Sequence, residues 1–194
     1  MDPKPNYMIS AEPVVSAGNA ESLFMAASAA PADTIIGRSA RILYNVESNE
    51  KERIGAELCV DLVERYGYPL MGITVAETVA VVASSGSLEY LEADILALGE
   101  KGVPLLIVEV VAPGAYLNER EAALKKLFRI GGTLAETADV PCMYLVYYTH
   151  TRVGDVFNRN CTIVDYACYQ TYTAWREAGG HSQSIGEIPY GSSC

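Results

Sequence analysis

The sequence predicts a single-domain α/β protein with a mainly parallel sheet of about five strands, flanked by helices in alternating β/α units. Short apolar segments rich in β-branched residues alternate with longer segments that carry helical charge pairs and caps. The length of 194 residues is near the upper size of one compact domain. Hydrophobic residues make up 50% of the chain and charged residues 20%, as in ordinary globular proteins.

The first part of the chain is expected to contain a loose end, a strand and a helix. Residues 1–6 carry two prolines and little that could be buried, so we interpret them as a disordered N-terminal end. Residues 7–15 predict the first strand, and residues 20–30 predict the first helix. Residues 40–46 are mostly apolar and predict the second strand.

A helix is predicted directly after this second strand, with Ser48 or Asn49 as its N-cap. Ile54, Leu58 and Leu62 follow at steps of four residues, which indicates one apolar stripe on the helix. A Gly-Tyr-Pro sequence then ends the helix.

The next two segments are both predicted to be helical. Residues 75–83 are rich in β-branched residues, but Thr74 and Glu77 have the spacing of a capping box. We therefore expect a helix there and keep a strand as the alternative. Ser87 is expected to open a second helix over residues 88–98.

The second half of the chain has the strongest strand patterns. Residues 103–111 are almost continuously apolar, which is typical of a strand buried on both faces. Asn118 is expected to begin a helix that kinks or ends at Gly131. Residues 142–148 predict another buried strand, and residues 162–178 predict the last helix, with aromatic residues at spacings of three and four.

These elements define one α/β domain over residues 7–178. Residues 179–194 are rich in serine and glycine, and we interpret them as an extended or partner-docked C-terminal tail. No internal repeat suggests a second domain.

Charge and cysteine content narrow the functional classes. The chain has 14 Lys and Arg against 24 Asp and Glu, a formal charge of -10 and no basic cluster, which predicts no nucleic-acid partner. No apolar run approaches the roughly 18 residues of a spanning helix, and the N-terminus does not look like a signal peptide. The five cysteines are an odd number with no Cys-x-x-Cys pair, which argues against a disulfide framework and a zinc site, so we expect no structural disulfide. We expect a cytoplasmic protein with no bound metal and no membrane contact.

Residues 104–148, in which a proline heads a strand that leads into a helix and a second strand, resemble the βαβ unit of the tautomerase superfamily. That superfamily uses an N-terminal proline amine as its catalytic group. Pro104 is an internal tertiary amide without a basic nitrogen. The resemblance therefore carries no activity over to this chain.

The candidate binding residues follow from the predicted parallel sheet. Ligands of such sheets bind beyond the carboxyl ends of the strands, where helix N-termini also point. The residues selected in this way are Ser16, Gly18, Asn19, Asn45, Glu47, Ser48, Tyr116, Tyr148, His150 and Arg152. Neither GxGxxG nor GxxxxGK[ST] is present, so no nucleotide cofactor is expected.

Three of the candidates carry possible chemistry. Histidine is the side chain suited to proton transfer near neutral pH, and Arg152 follows His150 closely, so we predict His150 as a general acid or base, with a purely structural histidine as the alternative. Glu47 is its expected carboxylate partner, although it fits the first turn of a helix equally well. Cys161 is a candidate nucleophile if it opens the last helix, because a helix N-terminus lowers a thiol pKa; a buried structural cysteine is the alternative.

Two functions stay open at this point. The first is a cytoplasmic enzyme that acts on a small polar or anionic metabolite by acid/base chemistry. The second is a non-catalytic ligand-binding or assembly module, because 13 tyrosines favour an aromatic contact between copies of the chain in a homo-oligomer. The residues expected in that contact are Tyr44, Tyr147, Tyr148, Tyr169, Tyr172 and Trp175.

Overall fold

The structure is a computed structural model that describes residues 34–36, 43–45, 49–83, 85–99, 102–137, 142–154 and 156–192. The elements predicted over residues 7–15 and 20–30, and the end over residues 1–6, lie outside these ranges. Strand β1 (Thr34–Ile36) pairs antiparallel with β2 (Leu43–Asn45), which falls within the strand predicted over residues 40–46.

The remaining elements form the main body of the described chain. In order they are α1 (Glu50–Glu64), β3 (Ile73–Val82), β4 (Leu88–Leu98), β5 (Pro104–Val110), α2 (Tyr116–Thr137), β6 (Tyr144–Val153), β7 (Val156–Asp165) and α3 (Tyr172–Glu177). Helix α1 begins as predicted, because the side chain of Asn49 accepts a hydrogen bond from the Lys51 amide at 3.0 Å. Its predicted stripe of Ile54, Leu58 and Leu62 is buried.

Strands β3 to β7 form one sheet in the order β3-β4-β5-β6-β7. The pairs β3–β4, β4–β5 and β6–β7 are antiparallel. Of the four pairings, only that of β5 with β6 is parallel, and α2 supplies the crossover between these two strands. The prediction of a mainly parallel sheet made of alternating β/α units is therefore wrong: the fold is α/β with a mixed sheet.

The error arises from two segments that were predicted as helices. Residues 75–82 instead lie in β3 and residues 88–98 form β4, and these two strands form an antiparallel hairpin. Leu, Glu and Ala in β4 favour a helix locally, but pairing on both sides overrides that preference. The β-branched residues of β3 were the correct signal, and Thr74 lies within the strand rather than at a helix cap.

The last predicted helix is also shorter than expected. Residues 162–165 continue β7, where Thr162 pairs with Tyr147 across the β6–β7 hairpin. Gly154 makes the turn of this hairpin with a φ of 62°. Helix α3 begins only after Thr171, whose side chain accepts a hydrogen bond from the Ala174 amide at 3.1 Å.

The segment predicted as a C-terminal tail packs against the domain over its described part. The Gly191 amide donates to the Tyr66 carbonyl at 2.8 Å, and the Tyr68 hydroxyl donates to the Pro189 carbonyl at 3.0 Å. Ile188 is buried with the core residues that surround α1.

Cys142 is disulfide-bonded, so the expectation of no disulfide is wrong for this residue.

Strand β5 lies at the centre of the sheet and is covered on both faces. Leu106, Val108 and Val110 pack in the core cluster that contains the apolar residues of α1. Ile107 packs on the opposite face, in the cluster that contains the apolar residues of α2. Glu109 is the one charged residue of this strand.

Ala76 marks a change of face in β3 and β4. Val75 and Ile95 pair with each other and pack on the α1 side of the sheet. Val79 and Ala93 pack on the α2 side, although strict alternation along a strand would keep them on the first face. Within the described ranges, Ala76 is the non-glycine residue with a left-handed backbone, at φ 54°.

Replacing Ala76 by glycine is expected to stabilise the protein. Alanine pays about 1 kcal/mol in the left-handed region that glycine adopts freely. We expect Ala76→Gly to raise the free energy of unfolding by about 0.5 to 1 kcal/mol in denaturant titrations. Ala80→Gly is the matched control, because Ala80 is also exposed in β3 but has no positive φ, and it should destabilise. If both substitutions destabilise the protein, the claim that the left-handed backbone of Ala76 is strained is contradicted.

Candidate active site

A cavity of about 270 Å³ opens between the N-terminal turns of α1 and the sheet. Lys51 and Glu52 line it from the helix, Ala76 lines it from β3, and Glu92 and Asp94 line it from β4. The cavity thus lies at the position where β3 and β4 change faces. Charged groups of both signs surround it.

Asp94 is held in place through both oxygens of its carboxylate. The ladder between β4 and β5 ends at the pair Ile95–Val108, and beyond it Asp94 Oδ2 accepts a hydrogen bond from the Val110 amide at 2.7 Å. Asp94 Oδ1 pairs with Lys51 Nζ at 2.8 Å. The Asp94 carboxylate therefore accepts the hydrogen bond that a backbone carbonyl of β4 would otherwise accept from the Val110 amide. This bond fixes the side chain at the wall of the cavity.

Glu109 lies immediately behind this wall, with 12% of its side chain exposed. It forms an ion pair with Lys126 of α2, and its Oε1 lies 3.8 Å from Lys51 Nζ. Burial raises the pKa of Glu109 and the nearby Asp94 raises it further, while the two lysines oppose the shift. The ionised form of this carboxyl group is therefore costly in the folded protein.

Lys51 joins the two carboxylates. Burial works against its charge, but the hydrogen bond to Asp94 and the negative charges of Asp94 and Glu109 raise its pKa overall. Lys51 therefore stays cationic at neutral pH while it lines the cavity. The arrangement can hold a positive charge between two carboxylates, move a proton at Glu109, or bind an anion at the ammonium group.

His150 belongs to a separate, buried network. Only 1% of the residue is exposed, and it does not line the cavity beside Asp94. Its Nε2 lies 2.5 Å from a Glu57 carboxylate oxygen, and its Nδ1 lies 3.3 Å from the Tyr148 hydroxyl. With its proton on Nε2, His150 donates to Glu57 and accepts from Tyr148. Arg53 donates to the other oxygen of Glu57 at 2.8 Å, so the network links α1 to β6.

Among the predicted site residues in the described ranges, Tyr148 contacts His150, whereas Arg152 and Tyr116 have other hydrogen-bond partners. Arg152 is exposed, donates to the Gly154 carbonyl at 3.1 Å and lies over the Phe157 ring. Tyr116 stacks on Tyr147 with ring centroids 4.7 Å apart, in the core cluster on the opposite face of the sheet from Tyr148. Asn45 ends β2. The described ranges do not include Ser16, Gly18, Asn19, Glu47 or Ser48.

Cys161 does not open a helix, which corrects the premise of its predicted reactivity. It lies within β7 opposite Tyr148. Burial raises the pKa of its thiol, and nearby Arg159 only partly opposes the shift. The activation expected from a helix N-terminus is therefore missing at this position.

Several aromatic residues expected in a contact between copies lie inside the domain. Tyr147, Tyr148 and Trp175 have exposures of 0%, 2% and 3%. Phe128 packs beside Trp175 and Tyr172 in the α2 cluster. These rings fill the core, so they offer little surface to a partner.

The residues around Lys51 were not found by the sequence analysis. Asp94 was assigned to a helix, and its approach to Val110 depends on a pairing between strands that are distant in sequence. Glu109 offered one usable signal, because it is an acidic residue inside an almost continuous apolar run. A charge in such a run is expected to have partners or a function.

The comparisons with known proteins add no relative from which a function could be carried over. No family model matches the chain, and no curated protein matches it. In the part of the chain that the structure describes, no helix is both long and apolar enough to cross a membrane. The same part contains no group of three or more His, Cys, Asp or Glu residues arranged to hold a metal ion.

The network around His150 makes stability depend on pH through Glu57. Burial opposes ionisation of Glu57, but the hydrogen bonds from His150 and Arg53 lower its pKa overall. A lowered carboxyl pKa stabilises the fold above the ordinary value near pH 4, and this contribution is lost as the pH falls through the folded-state pKa. We expect Glu57→Gln to cost about 1.5 to 3 kcal/mol at neutral pH.

Denaturant titrations at several pH values check this expectation, with Glu121→Gln as the control. Glu121 is an exposed acid paired with Lys125 on α2, so its substitution should change the stability little at any of these pH values. The cost of Glu57→Gln should shrink as the solution is acidified. If the cost is equally large at low pH, the stabilisation does not come from the ionised Glu57 carboxylate and its hydrogen bonds with His150 and Arg53.

Proposed function

We propose that this protein is an enzyme that hydrolyses small phosphoesters with a divalent cation held by Asp94 and Glu109. One observation carries the proposal: carboxylates from neighbouring strands meet the same ammonium group beside a cavity. Lys51 Nζ lies 2.8 Å from Asp94 Oδ1 and 3.8 Å from Glu109 Oε1.

The two carboxylates suit a cation such as Mg²⁺. Their negative charges raise the cost of burial unless positive charge lies between them, and in the structure the Lys51 ammonium group supplies that charge. Magnesium is usually bound by one or two protein carboxylates, with waters and substrate phosphate as the remaining ligands. A third acidic residue is therefore not needed. A bound divalent cation would supply Lewis-acid polarisation of the phosphoryl group and a more acidic water molecule.

The protein's own groups have distinct tasks in this proposal. Asp94 and Glu109 hold the positive charge, and the Val110 amide keeps the Asp94 carboxylate in position. Lys51 stays charged and faces the cavity, where its ammonium group stabilises negative charge on a phosphoryl oxygen. Substrate enters the cavity of about 270 Å³. The net charge of -10 favours a small phosphoester over a nucleic-acid backbone.

A second candidate function follows from the raised pKa of Glu109. A carboxyl group that keeps its proton closer to neutral pH is suited to act as a general acid, and Lys51 beside it is suited to bind an anionic substrate. This candidate keeps the function that the sequence suggested, an acid/base enzyme for a small anionic metabolite. The residue that transfers the proton is now Glu109 and not His150. It needs no metal.

The predicted location and self-association also stay proposals. Cys59, Cys161 and Cys168 carry free thiols, which favours the reducing cytoplasm, whereas the bonded Cys142 does not. A homo-oligomer is favoured by exposed apolar side chains at the β6–β7 turn, including Val153, Val156 and Phe157.

Hydrolysis of p-nitrophenyl phosphate and bis(p-nitrophenyl) phosphate, with Mg²⁺ or with EDTA, tests the first proposal. We expect turnover with Mg²⁺ and none with EDTA. Asp94→Asn and Glu109→Gln should each lower kcat/KM by about 100-fold or more, because each removes a ligand of the cation that would stabilise the transition-state charge. Asp61→Asn is the matched control: Asp61 pairs with Arg159 outside the cavity, so turnover should be kept.

The outcomes separate the two candidate functions. Activity that survives EDTA but is lost in Glu109→Gln would contradict the metal-dependent mechanism and favour the proton-transfer alternative. Activity that both substitutions leave intact would contradict both candidates.

Stability measurements on Glu109→Gln distinguish a functional role from a structural one. A raised carboxyl pKa means that ionisation opposes folding, so stability falls as the pH rises through the folded-state pKa. We expect Glu109→Gln to have an equal or higher Tm than the wild type at neutral pH while it loses activity. A clearly lower Tm would show that the Lys51 and Lys126 pairs serve mainly to hold the fold together.

A further inference from the structure

A second cavity, of about 360 Å³, lies between α2 and α3. Arg120 and Glu121 line it from α2, Trp175 and Arg176 line it from α3, and His181 lines it from the turn that follows. It shares no lining residue with the cavity beside Asp94. We call this second cavity the α2–α3 cleft.

Two residues that line the α2–α3 cleft each carry a buried donor with no hydrogen-bond acceptor within the described protein. These donors are the indole Nε1 of Trp175 and the Nε of Arg120. Trp175 is 97% buried, since only 3% of it is exposed. Buried donors of this kind are rare in folded proteins, because each one gives up its hydrogen bond to water without a replacement.

The Trp175 ring is held firmly, so its unpaired donor is not the result of a loose side chain. The ring lies 5.9 Å from that of Tyr172 and 6.3 Å from that of Phe128, measured between centroids. Gly180 packs beside the indole, where a Cβ would lie at an ordinary contact distance of 3.8 Å from the ring. The indole ring is thus held in position by its neighbours in the absence of a ligand.

The polar groups around the α2–α3 cleft are mainly donors. Arg120 and Arg176 are permanently charged, and His181 adds a third nitrogen base. Glu121 is the one acidic residue among the cavity's lining residues, and it is already paired with Lys125 at 2.8 Å and with Arg176 at 3.8 Å. An arrangement of N–H donors with little free acceptor capacity favours a ligand that only accepts hydrogen bonds.

We propose that the α2–α3 cleft binds the oxyanion group of a small molecule, a phosphate or a carboxylate. The Trp175 indole N–H and the Arg120 Nε–H donate to its oxygens, and the Arg176 guanidinium adds positive charge at the exposed side. The proposal stands independently of the phosphoester hydrolase, because it depends on none of the residues around Lys51.

The sole tryptophan of the chain makes this proposal directly measurable. A change in tryptophan emission of the full chain reports on the surroundings of Trp175, which lines the α2–α3 cleft. Titration with inorganic phosphate, and separately with succinate, at ionic strength kept constant with NaCl, should give a saturable change in emission and a matching isotherm in titration calorimetry. Saturation by phosphate alone assigns a phosphate site, saturation by succinate alone a carboxylate site, and saturation by both a general oxyanion site.

Variants on the two helices test the contacts. Arg120→Gln should weaken binding at least about tenfold, the loss expected for one hydrogen bond to a charged group. Arg176→Gln, on an exposed side chain whose loss leaves the fold intact, should weaken it several-fold. Arg129→Gln is the matched control, because Arg129 lies on the same helix but pairs with Glu89.

Two results would overturn the proposal. One is the absence of saturable emission change and of binding heat with both anions. The other is an Arg120→Gln protein that keeps both its wild-type melting temperature and its wild-type affinity.

Discussion

The burial of Glu109, in a strand covered on both faces, is the constraint that organises the structure around it. Strand β5 has no solvated face, so its one charged residue has to find compensating charge inside the protein. Lys51 approaches from α1 and Lys126 from α2. The two helices that cover opposite faces of the sheet are therefore both tied to a single carboxylate.

Burying Glu109 with its two lysines lowers the free energy of unfolding, and the fold does not require a charged residue at this position. An apolar side chain in place of Glu109 would pack in β5 without needing two lysines to compensate a buried charge. Asp94 adds a second negative charge close by, and Ala76 adds a left-handed backbone at the wall of the same cavity. Local costs of this kind persist where the surrounding fold supports them, and they concentrate at functional sites. Their coincidence around one cavity is the physical basis for assigning chemistry to it.

The sequence was informative wherever structure depends on neighbouring residues. The apolar run over residues 103–111 predicted β5, and the Asn49 cap with its apolar stripe predicted α1, because both signals are local. The sequence led to a wrong prediction at β3 and β4. Their residues have helical propensity, and the pairing between strands that overrides this propensity forms only in the folded sheet. The candidate site was missed for the same reason. The rule that ligands bind beyond the ends of parallel strands selected His150 as a residue that follows a strand, but His150 lies within β6 and is buried against Glu57.

The ionisation of Glu109 tests the central claim most directly. Its side-chain carboxyl can be followed by ¹³C NMR across a pH titration of the wild-type protein, first without divalent cation and then with saturating Mg²⁺. Without Mg²⁺ the pKa of Glu109 should lie above the ordinary range for glutamate, and Mg²⁺ should lower it, because a cation between Asp94 and Glu109 favours both charges. A pKa in the ordinary range that Mg²⁺ leaves unchanged would show that the two carboxylates form only an internal ion pair with the lysines.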